Sequence, residues 1–340
     1  MEYTQLGSSD LNVSRLCLGC MSFGQKEGEA RAAWTLNEDD ARAIIKQALE
    51  QGINFFDTAF AYGGGLSEQI VGRALRDFAP RDQVVVATKF LPRTDAELEQ
   101  GVTGAQHVMH HVNKSLSDLG MDYIDLYICH MWDYRTPIEE ILEGMGQAVK
   151  EGKVRSLGFS NCYAWQLCHV NHLAEQMGIP QIVALQGHYN LLFREEEREM
   201  VPYCKEANIA LTPYSPLASG RLVKKPGEVT ARMEHDNVLH AKYDRSAQQD
   251  AVIIARVAEL AEKYGLTTTQ VALGWLLQKV AAPVVGATKS KHLTEAVAAV
   301  EVQLSAEDCA YLEEPYVPHQ LVGVMEFNQP GKQLDLHDKK

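Results

Sequence analysis

Short apolar runs rich in β-branched residues alternate along this chain with stretches whose apolar positions recur every three or four residues. The short runs are Arg15–Leu18, Asn54–Phe56, Val84–Thr88, Ile124–Cys129, Val154–Phe159, Ile182–Leu185, Ile209–Pro213 and Ala282–Val285. Each is a few residues long and flanked by polar or turn-forming residues, the signature of a buried strand. Helical spacing falls on 39–51, 67–78, 105–119, 138–151, 163–177, 194–207, 250–279 and 290–299. Asn37 or Asp39, Thr136-Pro137 and Ser290 offer caps at helix starts, and Gly52, Gly120 and Gly152 offer stops.

Strands that alternate with helices pair in parallel, because each crossover must carry the chain back to the same end of the sheet. Eight such units predict a closed (β/α)8 barrel, the TIM barrel, in preference to an open doubly wound sheet. Ahead of them, Tyr3–Leu6 and Leu11–Val13 flank Gly7-Ser8-Ser9-Asp10 and predict a hairpin over 3–13, sized to plug the barrel bottom. Residues 221–249 are polar and irregular, an insert of the length that forms a lid, a binding loop or a disordered segment. The tail, 315–340, carries Pro315, Pro318 and Pro330 and reads as extended. No composition shift marks a boundary, so 1–340 is expected to form one barrel domain.

Composition narrows the partners. With 46% hydrophobic residues and 23% charged, the 340-residue chain has the profile of a globular protein. Its net charge of −13 argues against nucleic acid, whose binding needs clustered cations. No apolar run nears the roughly 18 residues of a membrane helix, and Met1–Leu18 lacks a signal-like pattern, so a cytoplasmic protein is expected. The seven scattered cysteines fit reduced thiols. Cys17 and Cys20 share C-x-x-C spacing but overlap a strand and lack a second ligand pair. His107, His110 and His111 read as a polar helix face, and no metal is expected.

A Rossmann unit needs G-x-G-x-x-G at its first strand–helix turn, and Gly63-Gly64-Gly65 does not continue that way. The polar residues concentrate elsewhere, at strand ends. Phe55-Phe56 runs into Asp57, Val84–Thr88 into Lys89, and Leu126–Cys129 into His130. Phe159 is followed by Ser160-Asn161, Leu185 by Gln186, and Pro213 by Tyr214-Ser215. In a (β/α)8 barrel these ends converge on one rim, where active sites are built.

Asp57 and Lys89 on neighbouring strands can neutralise each other where burial of either alone is costly. Tyr62 lies five residues beyond Asp57. A free phenol titrates near pH 10, about three units too high for an acid at neutrality, but an ammonium beside it favours the phenolate. His130 can add a hydrogen bond to the same oxygen. An acid, its tuner, the tuner's counter-ion and an orienting donor suit carbonyl reduction, which needs a hydride donor no side chain provides.

These residues sit within stretches that resemble the aldo-keto reductase superfamily along nearly the whole chain. The matching stretches are Leu18–Gly24, Gly52–Ala59, Tyr62-Gly63 with Ser67-Glu68, Ala87-Thr88-Lys89, Asp122–Leu126 with His130, and Gly152–Arg155. Gly158–Asn161, Gln186, Tyr214–Leu217 and Gly286-Ala287-Thr288 complete the series. The nearest branch looks like bacterial enzymes similar to the β-subunits of voltage-gated potassium channels.

The resemblance implies reversible, NADPH-dependent reduction of a small aldehyde or ketone, with Tyr62, Asp57, Lys89 and His130 in the catalytic roles. NADP(H) would lie across the rim. Ser160, Asn161 and Gln186 would hold its nicotinamide amide, and Tyr214 would face its ring. Cys20, Met21 and Asp57 would line the same edge. Ser215, Pro216, Leu217, Ser219, Gly220 and Arg221 would contact the pyrophosphate, and Gly286, Thr288, Lys289, His292 and Glu295 the adenosine end. The family often has Gln or Arg at position 292, Asn at 296 and, in this branch, Trp at 214, so adenine contacts are weaker here and Lys289 carries preference for the 2′-phosphate. Phe23, Trp34, Phe60 and Trp132 are expected to wall the substrate pocket. Two other classes compete: an NADP(H)-sensing interaction subunit with little turnover, and a metal-dependent barrel hydrolase, for which only Asp57 and His130 qualify.

Overall fold

The computed structural model describes residues 1–25, 34–223, 240, 242–318 and 322–327. β1 (Tyr3–Gln5) and β2 (Asn12–Ser14) pair antiparallel as the N-terminal hairpin. The next eight strands are β3 (Cys17–Gly19), β4 (Phe55–Asp57), β5 (Val85–Phe90), β6 (Ile124–Cys129), β7 (Val154–Ser160), β8 (Ile182–Gln186), β9 (Ala210–Leu211) and β10 (Val284–Gly286). They run parallel, each beside its sequence neighbour from β3 to β9, and β10 returns to pair with β3. The ring closes just beyond β9. The Leu211 carbonyl accepts from the Ala281 N–H at 3.1 Å, and the Pro213 carbonyl from the Val284 N–H at 2.9 Å. This is the expected (β/α)8 barrel.

Eleven helices lie among the described residues: α1 (Glu38–Glu50), α2 (Leu66–Phe78), α3 (Asp95–Glu99), α4 (Gly104–Leu119), α5 (Ile138–Lys150), α6 (Ala164–Gln176), α7 (Met200–Glu206), α8 (Ala247–Tyr264), α9 (Thr268–Leu277), α10 (Ser290–Ala298) and α11 (Ala306–Glu313). Most dock one apolar stripe on the barrel wall. In α1 that stripe is Ala41, Ile44, Ile45 and Ala48, and Asn37 caps its start by accepting from the Asp40 N–H. The approach of α2 to α4 requires a glycine, since a Cβ on Gly72 would stand 1.9 Å from the Leu119 carbonyl oxygen.

Several boundaries differ from expectation. The single helix over 250–279 is two, because Gly265 turns left-handed at φ +65° and Thr267 with Gln270 starts α9 with a reciprocal cap. The helix before that break begins at Ala247, inside the stretch read as loop; 224–239 and 241 lie outside the described residues. Lys289, not Ser290, occupies the cap position of α10, and Pro137 that of α5. α3 and α11 were not expected. In the tail, Gly323–Glu326 form a 3-10 turn with Met325 buried, while 319–321 and 328–340 are not described.

The hairpin does plug the barrel. Leu6, Leu11 and Val13 form one buried cluster with Cys17, Phe55, Val85, Ala87, Leu126, Ile128 and Ala184 from inside the ring. The opposite parity, Leu16, Leu18, Phe56, Val86, Tyr127 and Leu157, packs outward under the helices. Cys17 falls in the first cluster and Cys20 in the second, so the C-x-x-C pair faces opposite sides of the wall and both thiols are free. Among the described residues no helix is long and apolar enough to cross a membrane.

Candidate active site

The two-residue period of a strand fixes what enters the barrel mouth. Phe55 faces the interior, so Asp57 does; Val85 and Ala87 face it, so Lys89 does; Leu126 and Ile128 face it, and His130 follows in step. Lys89 is fully buried. Its Nζ donates to Asp57 Oδ1 at 2.7 Å and to the Thr58 carbonyl at 2.6 Å, and stands 3.5 Å from the Tyr62 hydroxyl. Tyr62 opens a 3-10 turn through Gly65, in which Gly63 and Gly64 adopt φ of +61° and +65°. The glycine run that does not make a nucleotide loop thus bends the chain back and aims the phenol at Lys89. The Tyr62 and His130 rings meet edge-on, with centroids 6.0 Å apart.

Burial works against the Lys89 ammonium, but the Asp57 carboxylate and then the Tyr62 phenol hold its pKa above the ordinary lysine value. Burial, followed by the Lys89 charge, pushes His130 down to about 3, so its imidazole is neutral at physiological pH. Its Nδ1 is buried with no protein hydrogen-bond partner among the described residues. A neutral imidazole here offers one N–H to an oxygen without adding charge beside Lys89.

Across the mouth, Gln186 Nε2 donates to the second Asp57 oxygen at 2.8 Å. This contact was not foreseen, and it engages the Gln186 amide nitrogen. The Asn161 amide nitrogen donates to the His130 carbonyl and to Ser160 Oγ, each at 2.8 Å, and its oxygen accepts from the Tyr214 hydroxyl at 2.9 Å. Ser160 Oγ donates to the Gln186 carbonyl at 2.8 Å. The expected amide-binding residues are therefore gathered, and their side chains are knitted to one another. Behind Tyr214, His188 stacks at 5.3 Å and 12°. Lys242, buried, brings its ammonium within 4.6 Å of the Tyr214 ring centroid. Neither His188 nor Lys242 stood out in the sequence, since one follows a glycine past a strand and the other lies in a polar insert.

Beyond Tyr214 the backbone is strained: Ser215, Ala218, Ser219 and Gly220 have φ of +53°, +49°, +55° and +104°. Three non-glycine residues in the left-handed region within five positions is costly, and such turns form N–H-lined concavities for anions. Arg221, at the end of this turn, is ion-paired with Asp244. At the neighbouring strand end, past β10, Gly286 and Lys289 are exposed, while Thr288, His292 and Glu295 are half-buried. Burial, then Lys291 and Lys289, lowers the His292 pKa. The rim thus carries an anion-shaped turn at one edge and a cationic helix start at another, a donor set that fits an extended dinucleotide.

Glu196 lies beneath this rim, its Oε1 3.1 Å from where a Cβ on Gly187 would be. Burial, then the neighbouring Glu195, pushes Glu196 up to about 8 from an ordinary 4.5. Over that window the folded chain holds a proton the unfolded chain has lost, so stability falls as pH rises from about 4.5 to about 8 and is not regained above it. Glu196→Gln should melt with the wild type near pH 5 and above it at pH 9; equal melting curves at both would contradict this.

The pocket residues separate. Phe23 is 1% exposed within the barrel-wall core, so it is packing and not pocket wall, a correction to the sequence reading. Trp34 and Phe60 are half-buried, and Phe60 meets the His111 ring edge-on at 4.8 Å. Trp132 anchors an aromatic patch with Tyr134 and Phe159, each at 6.4 Å, and Trp165 at 6.2 Å. Trp165, unflagged by sequence, is 59% exposed, and only the strand–helix geometry brings it beside Trp132.

Residues 15–316 match the family model described as the aldo/keto reductase family. The chain is 37% identical to versiconal hemiacetal acetate reductase of Aspergillus parasiticus, over 94% of its own length and 98% of that protein. It is 37% identical to a candidate aryl-alcohol dehydrogenase of Schizosaccharomyces pombe, over 94% and 97% respectively. Among solved structures it is similar to a thermostable aldo-keto reductase, Tm1743, in complex with the inhibitor epalrestat. That likeness has a TM-score of 0.72 and 25% identity, covering 93% of this chain and all of that one (100%).

Proposed function

The chain belongs to the aldo/keto reductase family, and from that premise we propose that it is an NADPH-dependent reductase of aldehydes and ketones with Tyr62 as proton donor. The observation that carries this reading is the buried Lys89 ammonium, tied to Asp57 at 2.7 Å with the Tyr62 hydroxyl 3.5 Å away. When bound, NADPH would supply the hydride that a carbonyl carbon takes up. Tyr62 gives its proton to the carbonyl oxygen as negative charge develops there. Lys89 stabilises the phenolate left behind, and Asp57 holds Lys89 charged and in place. His130, neutral, donates an N–H to the same oxygen.

Gln186 Oε1 with Ser160 and Asn161 would hold the nicotinamide amide, and Tyr214, stiffened by His188, would back its ring. Cys20 and Met21 would line the same edge. The strained turn from Ser215 through Pro216 and Leu217 to Ser219, Gly220 and Arg221 would take the pyrophosphate. Gly286, Thr288, His292 and Glu295 would take the adenosine end, with Lys289 selecting the 2′-phosphate. Seven free thiols support a cytoplasmic setting. The narrower likeness to bacterial relatives of channel β-subunits rests on motifs alone; the two relatives described above are fungal.

We assign aromatic aldehydes as the preferred class, on the Trp132–Trp165 patch, which starts two residues beyond His130, and on the aryl-alcohol designation of one relative. Quenching of tryptophan fluorescence by NADPH and by NADH, followed by assay of aromatic and aliphatic aldehydes, tests the reading. Tighter quenching by NADPH, with turnover of aromatic aldehydes, is expected. Trp165→Ala should raise KM for aromatic substrates roughly fivefold, the worth of one aromatic pair, and leave short aliphatic ones unchanged. Cofactor binding without turnover of any carbonyl compound would return the chain to the sensing class.

A further inference from the structure

We propose that Glu97, His107 and His111 form a zinc site on the outer side of the barrel, against the loop that follows β5. The sequence presents the histidines as a polar face, yet only His110 is exposed; His107 is 1% and His111 8% exposed. His107 meets the Phe90 ring edge-on and the Leu91 carbonyl, His111 meets the Phe60 ring, and Glu97 of α3 reaches His107.

His107 Nε2 lies 2.7 Å from the Leu91 carbonyl oxygen, which can only accept, so Nε2 carries the proton. A metal-bound histidine is held in the same way, its other nitrogen donating to a carbonyl. His107 Nδ1 then faces Glu97 Oε1 at 2.8 Å. The other Glu97 oxygen is already fixed, accepting from the Thr94 N–H and hydroxyl at 2.8 Å each. Both nitrogens of His107 thus face oxygens that accept, so Nδ1 meets Glu97 either through a second ring proton or through a metal ion in its place.

His111 supplies the third ligand. It stands one helical turn after His107, their ring centroids are 4.5 Å apart, and one ligand atom from each of the three residues lies within 4.8 Å of the others. Two histidines at i and i+4 with a carboxylate from a neighbouring element is a zinc donor set, and two nitrogens select zinc over magnesium or calcium. Bonds of about 2.1 Å bring tetrahedral ligands to roughly 3.4 Å from one another, so the widest pair must close by roughly 1.4 Å, within reach of side-chain rotation. The Glu97 side chain is 23% exposed, which gives the ion an entry path and a water as fourth ligand.

The test uses the untagged full-length chain, dialysed free of metal, with zinc titrated calorimetrically and cobalt followed by its visible ligand-field bands. One equivalent of zinc and a four- or five-coordinate cobalt spectrum are expected. His111→Ala and Glu97→Gln should each weaken zinc at least tenfold, while His110→Ala leaves it unchanged. Both variants spare the His107–Leu91 contact, and their circular dichroism checks the fold. A wild-type chain that binds neither metal at neutral pH overturns the site without reference to any variant. Uptake that survives both substitutions, or that His110→Ala abolishes, overturns it equally.

Discussion

Tyr62→Phe is expected to lower kcat for aldehyde reduction by roughly 10²–10⁴-fold, the usual worth of a positioned proton donor, with NADPH affinity unchanged. The substitution removes one oxygen from a half-buried ring and leaves Lys89 bound to Asp57 and to the Thr58 carbonyl. The fold and the cofactor site therefore have no reason to respond. Kinetics should localise the loss. If Tyr62 acts only in the transition state, kcat and kcat/KM fall together. Because His130 is depressed to about 3, the surviving activity should show no limb near pH 6.5, where an ordinary histidine titrates. Activity within tenfold of the wild type would remove Tyr62 from the role.

Lys89→Met should cost stability as well as rate. The ammonium is wholly buried and the Asp57 side chain is 3% exposed, so the methionine leaves a carboxylate in the barrel mouth with Gln186 Nε2 as its remaining side-chain donor. Breaking one side of a buried pair typically costs about 3–5 kcal/mol, visible as a lower urea midpoint at unchanged slope. Adding Asp57→Asn removes the stranded charge. The double variant should recover most of the lost stability and none of the activity. A double variant that regains turnover would show that Lys89 serves the fold alone; a single variant with an unchanged midpoint would show that the charges are not coupled.

The polar residues at strand ends made most of this site readable in advance, and strand parity explains why. Once Phe55, Val85 and Leu126 are taken as interior, Asp57, Lys89 and His130 must share the mouth, whatever the exact strand ends. Contacts between distant strands were not readable. Nothing in sequence ties Gln186 to Asp57, and an exposed tryptophan at 165 looks like any helix surface residue until Trp132 is seen beside it. Phe23 was misplaced because a rim-loop aromatic and a core aromatic have the same local pattern. The histidines on α4 were misread because what covers them, Phe60, Phe90 and the Leu91 carbonyl, comes from the ends of other strands.

The Gln186–Asp57 hydrogen bond joins β8 to β4, which are four strands apart in a ring of eight and so stand diametrically opposed. A half-barrel ending after β6 would contain Tyr62, Asp57, Lys89 and His130 and still lack this strut. Split between β6 and β7, the two polypeptides should each be inert and regain turnover only on reassociation. That outcome would make chemistry at this site conditional on complete assembly of the ring.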